Sequence, residues 1–307
     1  MSSTPGLTRV LDFPQERSVA AILAVFRRGS GDPTTRFIPG GPRWVAWPTP
    51  LGPVTARFTQ VTERRVEVTA WGPGAQWLAE QSLDLLGGSD DVSGFTPRHP
   101  LVAEAWRRIP GWRVPRSGLV VHALVPAIIE QKVTGQEAFG GQRRLVHRFG
   151  SVAPGPGAVL GLKVAPDASG WARIPSWEWL RARVDTGRAD TVQRAMVSPG
   201  RLEECVGLPL ESARRRLRAV PGIGVWTSSE VLHRALGDAD AVSFGDYHVA
   251  KNIGWALTGE EIDDDALAEL LEPYRGHRYR VQRLLELAGA TRPRRGARMS
   301  PRTHLPG

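Results

Sequence analysis

The sequence has little cysteine, little lysine and no long apolar run. The single thiol, Cys205, excludes an internal disulfide framework, a CxxC redox site and a four-cysteine metal or iron–sulphur cluster. No run in the 307 residues approaches the ~20 apolar residues of a membrane span, so no membrane partner is expected. Met1 to Leu11 lacks the apolar core of a secretory signal, and the compartment expected from it is the cytoplasm. The seven histidines contain no HxxxH or HxH pair, so no metal held by side chains is expected. No coiled-coil pattern is present, and a monomer is the default expectation.

Charge is not scarce. Lysine occurs only at Lys132, Lys163 and Lys251, so arginine supplies 37 of the 40 basic groups, against 31 acids, for a net charge of +9. A guanidinium fork suits phosphate, although high Arg, Ala, Gly and Pro also track GC-rich coding. Residues 1–96 carry nine basic and nine acidic groups, and residues 97–307 carry 31 and 22. A neutral first part and a basic second part suggest two jobs, the basic part being the candidate for nucleic acid. With 41% hydrophobic and 23% charged residues, a mostly disordered chain is excluded.

The first ~90 residues mix strands and helices. Val19–Phe26 reads as a helix. Arg43–Trp47, Val54–Phe58 and Arg65–Ala70 read as strands, and a second helix runs from Ala75 to about Leu86. After Phe95 nearly every segment has helical period, interrupted by a Pro/Gly-rich stretch from Ala153 to Gly161 that reads as an exposed connection. A last helix reads from Pro273 to Leu287. The expected fold is therefore mainly α with a smaller N-terminal α+β domain holding an antiparallel sheet. The expected division is 1–96, 97–290, and a basic flexible tail over 291–307.

The most informative stretch is LESARRRLRAV-PGIG-VWTSSEVLHRAL, residues 210–236. Leu210, Ala213, Leu217 and Val220 share one face of a helix. Pro221-Gly222-Ile223-Gly224 cannot continue it, and a second helix starts at about Val225. Two glycines permit a sharp turn and a close approach of ligand to backbone. The unpaired N–H groups from Gly224 to Thr227 make an anion site suited to a DNA phosphate. An ordinary helix–helix connection is the plainer alternative. Asp246 follows 22 residues after Gly224, just ahead of a helical stretch. It reads either as an N-cap or as a carboxylate facing the sugar of a displaced nucleotide.

PGIGVWT followed by the FGDYHV aspartate resembles the helix-hairpin-helix DNA glycosylase superfamily, and within it the alkylpurine branch. AIIEQKVTGQEA is similar to that branch's DNA-penetrating segment, PYRGHRYRVQRLL to its final helix, and the N-terminal α+β unit to its extra domain. The resemblance implies a base-excision repair enzyme acting on double-stranded DNA that contains damaged bases. It implies hydrolysis of the N-glycosidic bond of flipped-out alkylated purines of the 3-methyladenine and 7-methylguanine class.

The implied roles are these. Asp246 is the catalytic carboxylate that stabilises an oxocarbenium-like sugar. Gly222, Gly224, Trp226, Thr227, Gln131 and Lys132 contact DNA. Trp226, Tyr247, Tyr274 and Glu230 line the base pocket, where aromatic faces attract a cationic base; plain core packing is the alternative for each ring. Trp226 stands where lyase branches of the superfamily have a lysine nucleophile, so no lyase activity is implied. Two residues depart from the pattern: Lys132 replaces a leucine wedge, and Glu230 replaces an aromatic pocket residue. No cofactor is required; a structural Na+ or K+ on the backbone carbonyls of Arg218, Val220 and Ile223 is implied by the family's hairpin. The alternatives are a non-catalytic helix-hairpin-helix DNA-binding protein and a glycosylase for a deaminated base.

Overall fold

The computed structural model describes residues 5–293. Its N-terminal part is a five-stranded antiparallel sheet of β1 (Leu7–Asp12), β2 (Thr35–Phe37), β3 (Arg43–Thr49), β4 (Gly52–Thr62) and β5 (Arg65–Trp71). The strand order is β1-β5-β4-β3-β2. Register follows the apolar alternation: Phe58 pairs with Val68 and Ala56 with Ala70, and all four are buried. A one-residue slip would turn these side chains to the opposite face. The helix Ala75–Leu85 packs on this sheet through Leu78 and Leu85.

The remainder is helical. The helix Val120–Ile129 is buried along its length. Its first two N–H groups, on Val120 and Val121, donate to the Glu203 carboxylate at 2.9 and 2.8 Å. A capping box between Thr134 and Glu137 starts the helix Gly135–Phe149 eight residues before the point where its apolar period becomes readable. The last helix begins at Arg278, later than Pro273 suggests. Gly276 takes φ +87° and separates it from a short 3-10 turn at Glu272–Tyr274. The Ala153–Gly161 stretch is not simply an exposed connection. Short paired strands flank it, and Ala153 and Leu162 are buried against Trp44. Val159 at its tip is exposed.

The apolar core is organised differently from the chain order. One cluster joins the N-terminal sheet to residues from Val242 to Leu285. A second is built from Val120 to Ala241 and contains the hairpin residue Ile223. A fully buried Arg280 pairs with Asp90 at 2.6 Å and ties the C-terminal helix back to the N-terminal part. The seam between the two clusters is where the site lies. Of the basic tail, Arg292 pairs with Glu261 at 2.5 Å; residues 294–307 fall outside the described residues.

Candidate active site

The hairpin folds as its sequence dictates. The helix Leu210–Arg218 buries Ala213 and Leu217, and the chain turns at Pro221-Gly222. Gly222 takes φ +97°, and a Cβ there would collide with the Thr191 side chain, so only glycine fits. Gly224 is different. Its φ is −95°, and a Cβ would meet nothing within 4 Å. The second helix, Val225–Val231, runs into a π turn over Leu232–Leu236 and ends at Gly237 in the left-handed region. Such π turns widen a helix and bring extra side chains onto one face.

The segment after the buried Val120–Ile129 helix is fastened to this hairpin. The Gln131 amide donates to the Gly222 carbonyl at 2.9 Å and to Thr227 Oγ1 at 2.8 Å. Lys132, the next residue, is exposed with φ +55°, a strained geometry for a side-chain-bearing residue.

Asp246 sits between the hairpin's second helix and the helix Val249–Thr258. Its Oδ1 accepts from the N–H groups of His248 at 2.7 Å and Val249 at 3.2 Å, and its Oδ2 accepts from the Trp226 indole at 3.3 Å. One oxygen therefore holds the N–H groups at the start of the helix Val249–Thr258, whose N-cap position is His248, while the other lies in the site.

Asp246 lines a cavity of about 250 Å³ that also meets Glu130, Trp226, Glu230, His233, Tyr279 and Gln282. This exceeds the ~150 Å³ apolar cavity that accommodates a benzene ring. Its floor is a buried ionic network. Glu230 accepts from Arg234 at 2.5 Å and from Ser243 Oγ at 2.7 Å. Burial raises its pKa, but Arg234, His233, Ser243 and Arg28 outweigh that and bring it to about 2. His233 lies flat on Tyr279 with ring centroids 3.9 Å apart. Burial, then the charge of Arg234, pushes its pKa down to about 3, so the imidazole is neutral. Glu130 pairs with Arg28 at 2.7 Å. Burial pushes its carboxyl up further than Arg28 and Arg234 bring it down.

No family model matches the chain. A 160-residue stretch, 48% of the chain, is 30% identical to the probable bifunctional transcriptional activator/DNA repair enzyme AlkA of Mycobacterium tuberculosis, and the match spans only 30% of that protein. The 3-methyladenine DNA-glycosylase from Archaeoglobus fulgidus superposes with a TM-score of 0.74 at 19% identity, over 91% of this chain and 97% of that one. The 8-oxoguanine glycosylase/lyase of Clostridium acetobutylicum superposes with 0.69 at 12% identity, over 93% and 99%. The chain has the helix-hairpin-helix glycosylase fold.

On this fold the expected site residues separate into two groups. Asp246, Trp226 and Glu230 line one cavity, and Gln131, Gly222 and Thr227 are joined by hydrogen bonds beside it. Tyr247 and Tyr274 lie outside the residues that line this cavity. Tyr247 is 67% exposed, with Lys251 Nζ 3.9 Å above its ring. Tyr274 is buried some distance along the chain's C-terminal turn, where its hydroxyl accepts from the N–H groups of Arg98 and His99 at 3.0 Å. The tyrosine in the cavity is Tyr279. It is the second residue of the last helix, facing His233 across 46 residues of sequence, and has no local signature. Glu130 has one: it is an acid closing a helix that is apolar except for His122, next to Gln131.

Among the described residues no cluster of three His, Cys, Asp or Glu side chains could hold a metal. At the hairpin, the Val220 carbonyl accepts the Ile223 N–H at 3.0 Å and retains a second lone pair. Among the described residues no helix is long and apolar enough to cross a membrane.

Proposed function

We propose that the chain is a monofunctional DNA glycosylase that hydrolyses the N-glycosidic bond of a flipped-out alkylated purine, of the 3-methyladenine and 7-methylguanine class. The observation that carries this reading is Asp246, which presents one carboxylate oxygen to an open-mouthed cavity beside the hairpin's second helix. In this reading the N–H groups at Gly224 to Thr227 hold a strand by its phosphate. The open space beside Gly224 lets the backbone approach, and Lys132 at the strained tip fills the gap left by the displaced base. A base turned out into the cavity places its sugar beside Asp246. That carboxylate stabilises positive charge as the C1′–N bond breaks, and water completes the hydrolysis.

The lyase step requires an amine nucleophile. Trp226 stands at that position, and no lysine lines the cavity. The unit acts as a monomer on double-stranded DNA in the cytoplasm, with residues 1–96 as an accessory domain, 97–290 as the catalytic and DNA-binding region, and a monovalent cation on the hairpin.

A second reading, a glycosylase for a deaminated base, is favoured by one feature. Glu130, Glu230 and Gln282 bring hydrogen-bonding groups into the cavity beside the Trp226 and Tyr279 rings, and a neutral base is read by hydrogen bonds to its edge. The test is base release from methylated duplex DNA, with free bases separated chromatographically and strand nicking measured in parallel. Release of 3-methyladenine or 7-methylguanine without nicking supports the first reading. Release only from DNA containing a deaminated base supports the second. DNA binding without release of any base contradicts both.

A further inference from the structure

Two carboxyl groups in the cavity are held in opposite conditions. Glu230 is fully engaged by Arg234 and Ser243. Glu130 closes a helix in which every residue but His122 is buried, and it lines the cavity. Its side chain is 15% exposed and touches one cation, Arg28. The geometry of that contact makes no hydrogen bond: Arg28 Nε and Glu130 Oε1 are both buried without a hydrogen-bond partner. Burial, with the charges of Glu230 and Asp246, favours the neutral acid over the opposing pull of Arg28 and Arg234. His233, His248, Arg283 and Glu286 also face the cavity. Asp246 and Glu130 line the same space, so a base inside it lies between a carboxylate at the sugar and a carboxyl at the ring.

Environments that separate the pKa values of two nearby carboxyls mark an acid and a base. A cationic alkylated purine leaves without help, whereas a neutral purine leaves poorly unless a ring nitrogen is protonated.

We propose that Glu130 is a proton donor to the leaving base, the group that admits neutral damaged purines to this site. The proton passes from the carboxyl to a ring nitrogen as the C1′–N bond breaks, its electron pair leaving with the base. Water adds to C1′ and releases one proton to solvent, and Glu130 takes one back. This rests on the glycosylase reading above.

The test compares single-turnover release of hypoxanthine and of 7-methylguanine from duplex DNA between pH 5 and 9, for the wild type, Glu130→Gln and Glu130→Asp. The wild type is expected to lose hypoxanthine release as pH rises through the titration of Glu130. Glu130→Gln is expected to lower hypoxanthine release about 10²-fold more than 7-methylguanine release and to flatten that pH dependence. Glu130→Asp, which keeps an acid beside Arg28, is expected to recover part of both the rate and the profile, including where Glu130→Gln folds poorly. Equal losses on the two bases, an unchanged pH profile, or wild-type release of 7-methylguanine alone overturn the proposal and leave the glycosylase reading standing. Release of neither base by the wild type overturns both.

Discussion

The Trp226 indole nitrogen lies 3.3 Å from Asp246 Oδ2 and donates to it, joining the hairpin's second helix to the residue ahead of the next one. The contact holds the carboxylate by a rigid group while Oδ1 is fixed by two backbone N–H groups. Trp226→Phe keeps an apolar ring in place but removes the donor. The expected result is a fall in base release of about tenfold, the equivalent of roughly 1–1.5 kcal/mol for one lost hydrogen bond, with DNA affinity changed by less than threefold. Rates measured under single turnover, beside a binding titration, check this.

The two hairpin glycines should behave differently. Gly222→Ala places a side chain at φ +97° against Thr191, and a loss of about 2 kcal/mol or more is expected from the strained backbone and the collision. Gly224→Ala meets nothing in the protein. It should leave the melting temperature within a degree or two and weaken DNA binding instead. Thermal melts of both variants, read with binding titrations, separate a glycine needed by the fold from one needed by a ligand.

Gln131→Ala removes two hydrogen bonds between the wedge segment and the hairpin. A net loss of about 1–3 kcal/mol is expected at ~0.5–1.5 kcal/mol per bond. The Gly222–Thr227 side of the hairpin should show faster amide exchange. Hydrogen exchange followed by mass spectrometry reads this directly.

Acid should weaken the cavity floor. Glu230 titrates near 2 in the folded chain against ~4.3 when unfolded, a depressed carboxyl. Its contribution is complete above pH ~5 and is lost as pH falls toward 2. His233 is depressed to about 3 from ~6.5, so its cost of protonation adds to the loss from pH ~6.5 downward. Between pH 7 and 3 stability should fall by about 2 kcal/mol from the Glu230 shift alone, the full ~3 kcal/mol being lost only below pH 2. Glu230→Gln should be less stable at pH 7, because it leaves buried Arg234 unpaired, and should show a flatter acid limb. Denaturant melts between pH 7 and 3 test both statements.

The parts of the molecule that were legible in the sequence are those whose cause is local. The hairpin, its glycines and the aspartate 22 residues on form one short pattern, and the sheet strands show their period because one face is buried. Glu230 was marked as a departure; its i+4 partner Arg234 is readable from helical spacing, whereas Ser243, 13 residues on, reaches it only through the tertiary fold. Tyr279 carried no signal of its own: Tyr274 and Tyr279 lie five residues apart in one stretch of helical period, and Gly276 at φ +87° separates the turn that holds Tyr274 from the helix that carries Tyr279. The Ala153–Gly161 stretch was read by its Pro and Gly content alone, which carries no information about the Trp44 surface that its ends cover.

The central claim is that Asp246 performs chemistry in addition to holding the His248 and Val249 N–H groups, and the most direct test is Asp246→Asn. Asparagine retains an oxygen for the His248 and Val249 N–H groups, so folding and DNA affinity should change little. The measurement is single-turnover release of 7-methylguanine from methylated duplex DNA by the wild type and the variant at equal bound fraction. The account predicts release by the wild type and a loss of about 10²-fold or more in the variant, the scale of removing one preorganised electrostatic stabiliser. Equal release by the two proteins would contradict it.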